Sequence, residues 1–303
     1  MTATRLFVLG IDGVDLSLAK ENDLLLSNTI EWDLEEYPEL HTLRIWPSMF
    51  TGKLPHRSDN LIDPLSQGKS DDEERLESAN WTSQYMRFLS KISHLLLPKS
   101  VRLRLGDFFQ RRGVIKAGYD PIEWEDTVFD GLLSNTINLP TYNPLPVQQD
   151  LKQGWKTKIN SGNAGLDELE SLASEERKAV WSEIDKALDH GYDLTWAYIY
   201  CTDIFGHVDF NYGYQSVTEQ VCEEIVSPLR EAMVPEDELV IISDHGMVER
   251  DGVGEHRPPG WFTTTVDDVD LPATPKDVRP WIEGIVGTQS HNKEETLRDL
   301  GYI

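Results

Sequence analysis

Cysteine is scarce in this 303-residue chain: Cys201 and Cys222 are its only two. Two thiols make neither a disulfide framework nor a thiolate zinc cluster, so both are expected to serve as small buried apolar residues. Long apolar runs are missing too. Nowhere do about 20 apolar residues follow one another, and no transmembrane helix is expected. The run in "MTATRLFVLGIDG" is too short for a secretory signal and ends in Asp12 with no small-residue cleavage site, which predicts a cytoplasmic protein.

Positive charge is the third shortage. Lys and Arg number 28 against 53 Asp and Glu, a net charge of −25. Such a surface repels nucleic acid phosphates and anionic membranes at long range unless a local basic patch or salt intervenes, so nucleic acid is not expected as a partner. The acids are dispersed (Asp71 to Glu74, Asp167 to Glu170, Glu175, Glu176, Asp267, Asp268) and form no single tail. A carboxylated surface throughout suits a salt-rich cytoplasm such as an extreme halophile's, where a Debye length of roughly 3 Å screens self-repulsion.

What is present is a core. At 39% apolar content the chain can fold as one large α/β domain spanning 1–303 with an insertion. Three short apolar runs share a design: "RLFVLGIDG" (5–13), "TWAYIYCTD" (195–203) and "LVIISDHG" (239–246) each end at an Asp. Continuous apolarity without alternation suits strands buried on both faces, as in a parallel sheet covered by helices. Between the last two, Val217, Val221, Ile225 and Leu229 form a helical stripe, which makes a β-α-β crossover. A helix is expected over 166–189, and helix, strand and Pro-punctuated loop over 127–144. A final short helix is expected in "SHNKEETLRDLGYI", and 61–80 reads as an acid-rich loop.

The segment 84–118 inverts the charge, with Arg87, Lys91, Lys99, Arg102, Arg104, Arg111, Arg112 and Lys116 against one acid, Asp107. It reads as a small basic helical insertion. Two roles stay open: a hairpin packed on the acidic body, or a cap that draws anionic substrate, or an anionic surface, to the sheet edge.

In open α/β sheets ligands gather at the carboxyl ends of the strands. Asp12, Asp203, Asp244 and His245 all fall there, with His207 in "DIFGH" and His256 in "EHRPPGWF". Mixed carboxylates and imidazoles suit zinc or manganese, whereas calcium and magnesium prefer oxygen shells. Asp203 and His207 are four residues apart and can aim at one point. Adjacent Asp244 and His245 can serve one ion only if the strand breaks there, a break that Gly246 would permit. Asp15 and Asp209 are candidates to orient ligands from behind. Lys53, His56, Arg57, Asn60 and Arg257 are candidates for phosphate contacts. His41, His94, His190 and His291 have no ligand spacing.

In this order, "GIDG", "TLRIWPSMFTGKLP", "DIFGH", "SDHGM" and "HRPPGWF" resemble the alkaline phosphatase superfamily, and within it the type I phosphodiesterase and nucleotide pyrophosphatase branch. The resemblance runs from residue 8 to about 262. It implies a three-layer sandwich with a central, mostly parallel sheet flanked by helices. It also implies two divalent ions, zinc first and manganese second, and a small phosphate ester as substrate. The nucleophile position falls on Thr42, nine residues before the Thr51-Gly52 pair with Trp46 midway, and Ser48 is the rival. The resemblance assigns Asp12, Thr42, Asp244 and His245 to one ion and Asp203, His207 and His256 to the other. After "TGKLP" the family commonly reaches a His-Gly pair, where this chain has "HRSDN", so the loop beyond the nucleophile is expected to be rebuilt. The activity implied is hydrolysis of a phosphodiester through a phospho-threonine. A phosphomonoesterase, a phosphomutase or a sulfatase of the same superfamily is the alternative, although "WPSMF" has neither the Cys nor the Arg of a sulfatase C/S-x-P-x-R segment. A reading of another class is a metal-containing binding protein without turnover. The oligomeric state is left open.

Overall fold

The computed structural model describes residues 5–37, 40, 42–54, 127–130, 132–140, 142–161, 165–250 and 253–287. The loop at 61–80, the basic segment 84–118 and the C-terminal helix expected from 290 lie outside the described residues, as do His41, His56, Arg57, Asn60, His94 and His291.

The three Asp-terminated runs become β1 (Leu6–Ile11), β4 (Leu194–Ile199) and β5 (Glu238–Ser243). All but one of their 18 residues are buried, as strands covered on both faces require. With β2 (Asn28–Trp32), β3 (Ser134–Ile137) and β8 (Gly260–Thr264) they form a six-stranded mixed sheet in the order β2-β8-β5-β1-β4-β3. The central β5-β1-β4 pairings and β4-β3 are parallel, and β8 runs antiparallel between β5 and β2. Ile11 lies opposite Ile199 and Gly10 opposite Ile242, so the three acid-bearing ends stop side by side.

Helices flank this sheet. The first two are α1 (Leu16–Glu21) and α2 (Thr42–Thr51). Next come α3 (Pro146–Ser161) and α4 (Leu166–Leu188), then α5 (Cys201–Val208) directly after β4. The crossover to β5 is α6 (Gly213–Val221), a π turn over Cys222–Val226, and α7 (Ser227–Ala232). The π turn has a cause in the sequence. Apolar residues spaced by four drift ~40° per step around an ideal helix, so Val217, Val221, Ile225 and Leu229 would leave the core face. One wide turn brings them back, and all four are buried. Each such side chain contributes roughly 1.5–3 kcal/mol.

Residues 127–130 form a turn instead of the expected helix. Asp130 accepts from the Thr127 N–H at 2.5 Å and from its hydroxyl at 3.1 Å, closing the chain locally before β3. Cys201 is buried as expected, whereas Cys222 is only partly covered. Past β5 the chain leaves the sheet into a separate hairpin, β6 (Gly246–Arg250) and β7 (Val253–Arg257), and returns as β8. Among the described residues no helix is long and apolar enough to cross a membrane.

Candidate metal centre

Asp12 follows β1 directly and is fully buried. Its neighbour Gly13 takes φ 68, the left-handed region that favours glycine, and a Cβ there would stand 3.0 Å from Asp203 Oδ1 and 3.2 Å from His245 Cε1. The backbone thus turns inside the site, where no side chain fits. The break after β5 falls at Asp244 and His245 as expected. Gly246 serves it by close approach, since a Cβ would lie 3.0 Å from Asp15 Oδ2, and not by a left-handed backbone.

Two donor groups result. Asp12, Asp244 and His245 offer ligand atoms within 4.8 Å of one another, all buried. His245 Nε2 stands 3.6 Å from Asp12 Oδ1, 3.6 Å from Asp244 Oδ2 and 3.9 Å from Asp203 Oδ1, so it faces both groups. Asp203, His245 and His256 form the second such group, and His207 adjoins it: Asp203 Oδ1 lies 3.4 Å from His207 Nε2 and 3.2 Å from His256 Nε2, and those two nitrogens are 2.8 Å apart. His256 sits on β7, paired with Met247. Close packing at Gly206 and Gly254 holds β7 against α5: a Cβ on Gly254 would stand 2.6 Å from Gly206 O.

The imidazoles share one arrangement. Each Nδ1 meets a backbone carbonyl: His207 at Gly254 O (2.8 Å), His245 at Gly246 O (3.1 Å) and His256 at Leu40 O (3.0 Å). In the neutral ring a proton on Nδ1 leaves the lone pair on Nε2, and all three Nε2 atoms face the acids. Among the described residues Asp203 Oδ1, Asp244 Oδ2 and His245 Nε2 are buried without a hydrogen bond. Orphaned donors and acceptors of this kind carry a full desolvation cost unless something satisfies them. Carboxylate oxygens and imidazole lone pairs aimed at one another are satisfied together by a cation, so these residues fit a divalent ion.

The electrostatics agree. Burial, then the Asp244 and Asp203 charges, push Asp12 well above the usual carboxylate range. Burial raises Asp244 to about 7, with Asp203 adding to the effect. Burial and the neighbouring His256 lower His245 to about 4. In the second group burial works against both partners, yet attraction wins: His207 rises to about 8 beside Asp203, and Asp203 is lowered by His207 and His256.

Thr42 opens α2, its Oγ1 3.5 and 3.4 Å from the two Asp12 carboxylate oxygens, long for an O–H···O bond. The helix is set by Trp46, which packs where Gly10 has no side chain, meets Tyr198 edge-on at 4.9 Å, and would clash with any Cβ at position 10. Phe50 adds an edge-to-face contact with Trp196 at 5.1 Å. Ser48, the rival hydroxyl, is fully buried, donates to Ile45 O at 2.7 Å and pairs with Tyr37 Oη at 2.8 Å.

Asp15 caps α1 through the Ser17 N–H and holds Arg257 at 2.5 Å, so Arg257 is spent on an acid and Asp15 stands beside the ligands without bonding to them. Asp209 closes α5 as its C-cap. His190 lies at the surface with Nδ1 at Lys186 O.

Several residues escaped the sequence reading. Tyr198 donates its hydroxyl to Asp12 Oδ2, and Thr202 donates to Asp12 O at 2.6 Å. Trp155 stacks on His207 at 5.4 Å, an arrangement for which the sequence carries no signal. Glu176 is wholly buried on α4. Its signal was an acid set in the apolar stripe Leu169, Ala173, Val180, Ile184. No protein-family model matches this chain, and no curated protein matches it significantly.

Proposed function

We propose that the protein is a metal-dependent hydrolase of phosphate esters, of the phosphodiesterase or nucleotide pyrophosphatase kind, built on the three-layer sandwich of the alkaline phosphatase superfamily. One observation carries the reading: two mixed carboxylate and imidazole groups meet at the ends of three adjacent parallel strands, with the Thr42 hydroxyl beside one of them. Asp12, Thr42, Asp244 and His245 would hold one divalent ion, and Asp203, His207 and His256 a second. Zinc suits this donor set first and manganese second. When bound, such a pair supplies Lewis acidity to a hydroxyl nucleophile and neutralises charge on phosphoryl oxygens.

The side chains do the rest. Thr42 Oγ1 forms a bond to phosphorus as the ester oxygen departs with its alcohol. The hydroxyl proton passes through solvent water to the departing alkoxide, which leaves as the alcohol. Tyr198 and Thr202 hold Asp12 in place during this exchange. The backbone N–H groups at the start of α2 favour the phosphoryl oxygens by their orientation. Water then attacks phosphorus, the Thr42–phosphorus bond breaks, and the proton lost by the attacking water restores the Thr42 hydroxyl.

The experiment is metal analysis of protein purified under metal-replete conditions, followed by aryl phosphodiester, monoester and sulfate substrates with added zinc or manganese. Two ions per chain and preferential diester hydrolysis are expected. Thr42→Ala should bind both ions while losing at least about a thousandfold in kcat/KM. Protein that binds no divalent ion sinks the proposal, and ions without turnover identify a binding protein.

A further inference from the structure

α5 carries Asp203 in its first turn and His207 one turn later, yet its own N-cap residue, Tyr200, makes no side-chain capping bond. The cap arrives from another helix. Glu176 Oε2 accepts the Cys201 N–H at 2.8 Å, and its two oxygens accept the Tyr200 N–H at 3.1 and 3.2 Å. Asn138 Nδ2 donates to Oε1 at 2.9 Å and also to Tyr198 O at 2.9 Å. Asn138 is itself fixed by the Leu145 N–H on its Oδ1 at 2.9 Å and by Gln148 on its carbonyl at 3.0 Å. These bonds tie the segments around β3, α3, β4 and α4 to the turn that launches α5.

Glu176 occupies a position that packing alone would give to an aliphatic residue. Its neighbours on the buried stripe are Leu169, Ala173, Val180 and Ile184, and burying a carboxylate there is unfavourable unless its oxygens are satisfied. They are satisfied by the two N–H groups that begin the ligand helix. Asp203 Oδ1, two residues on from Cys201, is the atom that His207, His245 and His256 all face. A small shift of the turn moves that shared atom against three imidazoles held by other carbonyls.

We infer that Glu176 is a positioning residue for the second ion, setting Asp203 and His207 through the β4–α5 turn, an inference that rests on the two-ion reading above. The first group of donors sits on β1 and the end of β5 and meets this segment through Tyr198 and Thr202 on Asp12, neither of which bonds to Glu176, so the loss of Glu176 falls chiefly on the second ion. Loss of a supporting partner of this kind weakens an ion's affinity about 10–100-fold.

The test is zinc titration of the full-length protein against a chelator of known affinity, with thermal unfolding in parallel. Glu176→Gln is close in shape but sets an NH2 against backbone N–H donors. It should hold one ion as the wild type does and the other about 10–100-fold more weakly. Equal affinity for both ions, or an equal loss at both that follows a lower Tm, overturns the inference. Asn138→Gly keeps the left-handed backbone at φ 61 and the Tyr200 and Cys201 N–H bonds to Glu176, while removing the amide that donates to Glu176 and to Tyr198 O and accepts the Leu145 N–H. It should weaken the same ion a few-fold and serves if Glu176→Gln does not fold; two unchanged ions in Asn138→Gly then overturn the inference. A wild-type chain that binds no zinc removes the two-ion reading, and this inference with it, whereas two ions in the wild type and in Glu176→Gln alike remove only the inference.

Discussion

The two donor groups solve opposite problems. Asp12, Asp244 and His245 are completely enclosed, and burial drives all three toward their uncharged forms. Asp203, His207 and His256 have side chains 5%, 18% and 27% exposed, and there an acid and a base stabilise each other's charge. Among the described residues no Lys or Arg pairs with the carboxylates of the first group, which depend on a cation or on protons. The second balances much of its own charge. The lesson is that one cluster of ligand-type residues can be two sites with different demands, the inner one deep in the sheet and the outer one on a helix and a hairpin.

The largest effect separates them directly. Asp12→Asn removes a carboxylate that nothing else in the inner group replaces, and it should abolish binding of that ion and reduce diester hydrolysis by at least about a thousandfold. His207→Ala should leave the inner ion in place and lose the outer one. Metal stoichiometry of the two variants distinguishes them. If both variants lose both ions together, the division into two sites is wrong.

Much of the inner group was legible because sheet chemistry writes itself locally: doubly buried strands need unbroken apolar runs, and an acid at the end of such a run has few structural uses. The adjacency of β5, β1 and β4 was not written in any single run, since strand order depends on crossovers. The hairpin that brings His256 to Asp203 was not legible either. "VGEHR" alternates too weakly to announce a strand, and its partner lies directly after the break at His245. Glu176 was hidden for the opposite reason. Among so many acids in an expected helix, one more looked like surface, and only its place on the apolar stripe marked it.

A smaller effect sharpens the comparison through pH. In metal-free protein His207 has its pKa raised to about 8, so its stabilising ion pair is fully present below the unfolded value near 6.5 and is lost as pH rises through 8. That shift corresponds to about 2 kcal/mol. Asp244, raised to about 7, is a carboxyl that holds its proton in the fold after the unfolded chain has released it, so it too weakens the fold as pH rises toward 7. His245, lowered to about 4, acts in the other direction between about 4 and 6.5, where the unfolded chain takes up a proton that the fold refuses. The clear window is therefore pH 6.5 to 8, where metal-free protein should lose stability in urea titrations while the zinc-loaded protein changes little. A metal-free protein that is equally stable at both ends of that window contradicts the charge balance described for both groups.

The smallest effects come from two glycines, one behind each group. A methyl on Gly10 would run into the indole of Trp46, a rigid ring locked between β1 and Tyr198, so Gly10→Ala should cost about 1–3 kcal/mol and displace α2 with Thr42. A methyl on Gly206 would meet the end of Met247, an unbranched thioether that can change rotamer, although Gly254 crowds the same place. Gly206 lies inside α5, where Ala is preferred to Gly by about 1 kcal/mol. Propensity gain and steric cost then nearly cancel, and Gly206→Ala should shift stability by less than about 1 kcal/mol. Chemical denaturation of the two variants compares them on one scale. A Gly206→Ala penalty as large as that of Gly10→Ala would mean that the outer group is as rigidly built as the inner one, because Met247 would then have nowhere to go.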